Sequence, residues 1–121
     1  MRIKQYSLLE GYMKYAYVSE KFAAARRNLM LPHPENEIKS IADAFVECSH
    51  GLHNINRDDF DDAARKSVRK LEELMDGSGL NDPLDRGLYM IKAERLSLDQ
   101  KTELSRIIDY LASWFEAQSR E

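Results

Sequence analysis

Carboxylate and imidazole side chains recur at helical spacing between residues 43 and 53, and these residue types bind metal ions. The cluster consists of Asp43, Glu47, His50 and His53. Glu47 and His50 have the Glu-x-x-His spacing, which brings both side chains to one helix face, as in the carboxylate–histidine metal sites of helical bundles. The chain contains no second Glu-x-x-His, so a metal site would need a second copy of the chain.

This cluster lies on the polar side of its helix, which favours a simpler interpretation. At about 100° per residue, Asp43, Glu47 and His50 fall opposite the apolar side chains of the same segment. The alternative to a metal site is therefore a solvated face with ordinary surface histidines. We expect no cofactor.

A second pair of residues, Arg27 and His33, has the chemistry needed to cut RNA. The segment RNLMLPH resembles the Arg-x(4–6)-His motif of HEPN-domain ribonucleases, which are small helical bundles. The resemblance covers Arg27, Asn28 and His33. It implies metal-independent cleavage, in which Arg27 stabilises the phosphate charge and His33 acts as an acid or a base. The alternative is that Arg27 is a helix-end charge and His33 a loop residue between two prolines.

Helices must position all of these residues, because apolar side chains recur at helical spacing and no strand-like alternation occurs. The pattern predicts five helices, at residues 6–31, 34–54, 58–76, 83–96 and 98–118. Capping boxes are predicted at Ser7 with Glu10 and at Ser97 with Gln100. Pro34 and Pro83 suit the first positions of their helices. The expected fold is an all-α, antiparallel helical bundle of four main helices and one short helix, the one at 83–96, in a single domain of residues 1–121.

The apolar stripes identify the residues expected in the core. Phe45 and Leu111 lie in the middle of their stripes and are expected to be fully buried. Cys48 falls on the same stripe as Phe45 and is expected to pack as a small hydrophobic residue. In the short helix, Leu84 and Leu88 are expected to point inward, together with Ile91.

The helix at 6–31 carries two apolar stripes, whereas a helix with one wet face needs only one. It therefore requires neighbours on two sides. The second stripe is rich in alanine and methionine, and we expect it to pair with the same helix of a second copy, with Glu20 opposite Arg27. The expected interface residues are Leu9, Met13, Ala16, Tyr17, Glu20, Ala23, Arg27 and Met30.

Composition excludes several classes of protein. The formal net charge of −3 argues against a dedicated nucleic-acid binder, which usually carries a basic face. No apolar run approaches the roughly 18 residues of a membrane span. The single cysteine, Cys48, cannot form an internal disulfide, which favours a cytosolic location.

Taken together, these features predict a non-catalytic interaction or adaptor protein that acts as a homodimer and can also bind a protein partner. A HEPN-like ribonuclease is the second hypothesis, and a carboxylate–histidine metal protein is the third. We expect no membrane association and no general binding of nucleic acid.

Overall fold

The computed structural model describes the backbone of residues 2–120 and the side chains of residues 14–120. Its backbone forms five helices and, within residues 2–120, no strand. They are α1 (Arg2–Leu29), α2 (Glu37–Leu52), α3 (Asp62–Met75), α4 (Leu88–Arg95) and α5 (Leu98–Ser119). The prediction of an all-α bundle with four main helices and one short one is confirmed. None of the helices, over the residues described, is long and apolar enough to cross a membrane.

The longest helix, α1, is the centre of the bundle and packs against both α2 and α5. On the α5 side, the Tyr15 ring packs against the Phe115 ring. Eleven residues further along α1, Arg26 forms an ion pair with Asp109. Residues further along α1 thus meet residues earlier in α5, so the two helices are antiparallel. Helix α1 thus has two neighbouring helices within the subunit.

A glycine allows α2 to approach α1 closely. A Cβ atom added to Gly51 would lie 3.0 Å from the Cβ of Lys21 and 3.3 Å from a methyl group of Val18. Such distances are tighter than most Cβ contacts in proteins, so a side chain at this position would require its neighbours to shift by a few tenths of an ångström. Lys21 also pairs with Glu47 of α2 across 3.6 Å.

Three of the predicted core positions are confirmed. Phe45, Cys48 and Leu111 are all fully buried. Burial among apolar side chains raises the pKa of the Cys48 thiol, because the low-dielectric interior disfavours the thiolate. A larger aromatic cluster surrounds Phe115 and joins α1, the segment before α3, and α5; its members are Tyr15, Phe22, Phe60, Trp114 and Phe115.

The helix starts show which local signals prevail. The capping box of Ser97 and Gln100 is present, as predicted. The capping box at Ser7 is wrong, because α1 already runs through that residue from Arg2. The start of α2 at Pro34 is also wrong, since Asn36 caps the helix by accepting a hydrogen bond from the Lys39 N–H at 2.8 Å. An N-cap side chain that satisfies a free backbone N–H is a stronger determinant than proline at the first position.

The beginning of α4 differs most from the prediction. The Asp82 carboxylate accepts hydrogen bonds from the backbone N–H groups of Arg86 and Gly87, each at 2.7 Å, and so holds residues 82–87 in a turn. The helix therefore begins only at Leu88. As a result, Leu84 is 78% exposed and Leu88 is 43% exposed, so the prediction that both point inward is wrong.

Candidate interaction surface

The face of α1 that points away from the core is accessible in the described residues. It contains six of the predicted interface residues: Ala16, Tyr17, Glu20, Ala23, Arg27 and Met30. Tyr17 is 52% exposed and Met30 is 60% exposed, while the two alanines are half-buried. We call these six residues the α1 outer face. The side chains of Leu9 and Met13, also predicted to belong to the interface, lie outside the described residues.

Helical geometry explains why this face is left open. At about 100° per residue, Ala16, Glu20 and Arg27 fall within one narrow sector of the helix. The buried residues Val18 and Ala25 lie on the opposite side. Helices α2 and α5 pack against that opposite side, so the outer face is the more accessible side of α1 among the residues whose side chains are described.

An open groove of about 1090 Å³ borders the α1 outer face, between the end of α1, the start of α2 and the first half of α5. We call it the α1–α5 groove. Ala23, Arg27 and Met30 line it from α1, so it is continuous with the outer face. Leu98, at the start of α5, also lines it and is 79% exposed.

The groove is positively charged, although the chain as a whole is negative. Its lining includes four basic side chains, those of Arg26, Arg27, Lys101 and Arg106, and two acidic ones, those of Glu37 and Asp109.

Two of these cations are already paired. Arg26 lies 3.5 Å from Asp109, and Lys101 donates a hydrogen bond to Glu37, which lowers the pKa of that carboxyl group. Arg27 and Arg106 form no ion pair with any other residue whose side chain is described.

Sequence reasoning identified Arg27 in this groove but missed the α5 side. A signal for it exists in the sequence. Leu98 falls about 110° away from the buried stripe of α5, which contains Leu104, Ile108 and Leu111. Its position outside the buried stripe predicts that Leu98 is exposed.

The structure distributes the four predicted metal-binding residues among separate contacts. Asp43 pairs with Lys39 at 2.6 Å, and Glu47 pairs with Lys21 of α1. The two histidines, His50 and His53, are exposed. In the described part of the chain, no group of three or more histidine, cysteine or acidic residues is arranged to hold a metal ion.

Arg27 and His33 are directed to different surroundings. Arg27 is exposed and lines the α1–α5 groove, whereas His33 is not part of the lining. The His33 Nε2 lies 3.3 Å from the carbonyl oxygen of Leu29, where it can cap the end of α1.

A second groove, of about 1160 Å³, lies between the end of α2, α3 and the start of α4. Arg57 binds Glu72 within it through two parallel hydrogen bonds of 2.7 and 2.9 Å, a pairing that raises the pKa of Arg57. This fork occupies both charged groups with each other. Arg69, Glu73 and Asp76 also line the second groove.

Comparison with family models, with curated proteins and with solved structures found no match to this chain.

Proposed function

We propose that the protein is a non-catalytic interaction protein of the cytosol that forms a homodimer through the α1 outer face. The observation that carries this proposal is the exposure of Tyr17 and Met30 on the central helix of the bundle. A central helix usually has its large apolar side chains covered, and exposed apolar surface of this kind is typical of protein contacts.

The residues of this face suit a two-fold contact of α1 with itself. Ala23 is small, so a second helix can approach closely at its level. If the two helices run antiparallel with the two-fold axis midway between the levels of Glu20 and Arg27, Glu20 of each copy lies opposite Arg27 of the other. The contact is then self-complementary, as a two-fold dimer requires. A stable dimer of this kind would bury at least about 1,000 Å² in total.

A charge exchange between Glu20 and Arg27 tests the dimer. Sedimentation equilibrium at micromolar concentration should show a dimer for the wild-type protein. Glu20→Arg and Arg27→Glu should each shift the protein toward monomer, because either change places like charges opposite each other. The double variant should restore the dimer, since the opposite charges again meet across the axis.

Lys66→Glu is the matched control, because Lys66 is exposed on α3, away from the face. It should leave the association unchanged. The proposal is wrong if the wild-type protein sediments as a monomer, or if the double variant is no more dimeric than the single variants.

A further inference from the structure

We infer that the α1–α5 groove binds an acidic, amphipathic helix of a partner protein. This inference deepens the proposed function and depends on the protein being an interaction protein. The groove shares Ala23, Arg27 and Met30 with the α1 outer face, so an acidic helix and a second copy would compete for these residues.

The shape of the groove suits a helix. Its two walls are antiparallel helices, and its lining combines small and apolar side chains, among them the partly exposed Ala23 and Leu29. Met30 and Leu98 extend this apolar surface to the solvent at one end of the groove. An amphipathic helix binds such a surface by laying its apolar stripe into the groove.

The charges of the groove specify an acidic ligand. Arg27 lines the groove from α1 and Arg106 lines it from α5, and neither has an ion-pair partner among the described side chains. The full chain has 18 basic and 21 acidic residues, and four of the basic and two of the acidic ones line the groove. The rest of the chain therefore has 14 basic and 19 acidic residues. The positive groove thus lies in an otherwise acidic molecule. Carboxylates on the polar face of a bound helix would meet the two arginines, and the same field would steer the helix to the groove.

Two other occupants fit these observations less well. A second copy placed groove against groove would bring the arginines of both copies together, which like-charge repulsion opposes. Single-stranded RNA is bound through base stacking on aromatic side chains, and none of the residues that line this groove is aromatic. An acidic helix uses both the apolar lining and the free arginines.

Binding of designed peptides, followed by fluorescence anisotropy, tests the inference. The probe is a labelled synthetic helix with leucine at positions i, i+3, i+4 and i+7 and glutamate on its polar face. A second peptide keeps the leucines and replaces glutamate by lysine, and a third has the leucine and glutamate residues in scrambled order. We expect the leucine–glutamate peptide to bind at least about tenfold more tightly than either control, a difference of about 1.4 kcal/mol.

Two variants on α5 locate the binding site. Arg106→Glu removes the charge complementarity and should weaken binding of the leucine–glutamate peptide by about tenfold or more. Leu98→Asp removes exposed apolar surface without entering the core and should weaken binding by a similar factor. Lys66→Glu makes the same charge change outside the groove and should alter the binding constant less than about twofold. The reason is that exposed charges separated by more than a Debye length, about 8 Å at physiological salt, are largely screened from each other. Circular dichroism should show that all three variants keep the helical fold.

The outcomes of this test differ from those of the dimer test. Arg106→Glu should leave the sedimentation of the wild-type dimer unchanged. A dimer that forms normally but does not prefer the leucine–glutamate peptide would overturn the inference and leave the dimer in place. Peptide binding by a protein that sediments as a monomer would support the inference and refute the dimer. Three further results would overturn the inference: equal weakening by Arg106→Glu and Lys66→Glu, displacement of the peptide by a single-stranded RNA oligonucleotide that binds more tightly, or loss of the dimer in Arg106→Glu.

Discussion

Replacing Phe115 by alanine removes the ring at the centre of the aromatic cluster. This ring is fully buried, and its centroid lies 5.0 Å from that of Phe22, 5.6 Å from that of Phe60 and 5.3 Å from that of Trp114. A buried phenylalanine truncated to alanine typically costs about 3–5 kcal/mol. We expect a value in the upper part of that range, since the three ring pairs lie at distances where aromatic rings attract one another. With a denaturant dependence of about 2 kcal/mol per molar urea, a loss of about 4 kcal/mol moves the unfolding midpoint down by about 2 M.

Urea unfolding should be followed by far-ultraviolet circular dichroism, because the fluorescence of Trp114 changes when its neighbour Phe115 is removed. Ser113→Ala is the matched control: Ser113 is exposed on the same turn of α5, and its replacement should change the free energy of unfolding by less than about 0.5 kcal/mol. A loss below about 1 kcal/mol for Phe115→Ala, with an unchanged denaturant dependence, would refute the reasoning. It would mean that the neighbouring side chains collapse into the vacated space.

Three further predictions concern other contacts of the core and its edge. Phe45→Ala and Leu111→Ala should each lower the free energy of unfolding in urea by about 2–5 kcal/mol, and losses under about 1 kcal/mol for both would contradict the assigned core stripes. Asp61 caps α3 and accepts a hydrogen bond from the Trp114 indole at 3.0 Å. Asp61→Ala should therefore lower the free energy of unfolding by about 1–2 kcal/mol, whereas Asp61→Asn should retain most of the cap. Equal losses for the two variants would exclude capping as the cause. The buried Cys48 thiol, with its raised pKa, should react with a thiol reagent at least about 1,000-fold more slowly in native than in urea-unfolded protein. The reason is that access to the thiol requires unfolding, at a cost of at least about 5 kcal/mol. Rapid labelling of the native protein would instead show local opening of α2.

Apolar periodicity was sufficient to predict the main helices and much of the core. Phe45, Cys48 and Leu111 could be assigned to the interior because helical spacing alone determines which side chains share a face. The capping box at Ser97 could also be predicted, since both of its hydrogen bonds form within four consecutive residues. Such features depend only on neighbours in the chain.

Local signals were insufficient where two of them compete. Pro83 is compatible with the first turn of a helix, and Asn81 is compatible with the N-cap position before it. The Asp82 carboxylate instead binds two backbone N–H groups further along and delays α4 until Leu88. The sequence shows each of these preferences, but not which of them the folded chain satisfies.

Part of the candidate site could likewise be predicted from the sequence, and part of it depends on tertiary packing. Ala16, Ala23 and Met30 could be assigned to a second stripe of α1 from their spacing, which indicates more apolar surface on this helix than one neighbour can cover. Which side of α1 is accessible depends on tertiary packing, because α2 and α5 pack on the same half of the helix as Val18 and Ala25. Tertiary packing also forms the positive groove. Arg27 and Arg106 are far apart in the chain, and they line the same groove only because α1 and α5 pack antiparallel. No local pattern encodes such a pairing, because it depends on which helices meet and in which direction they run.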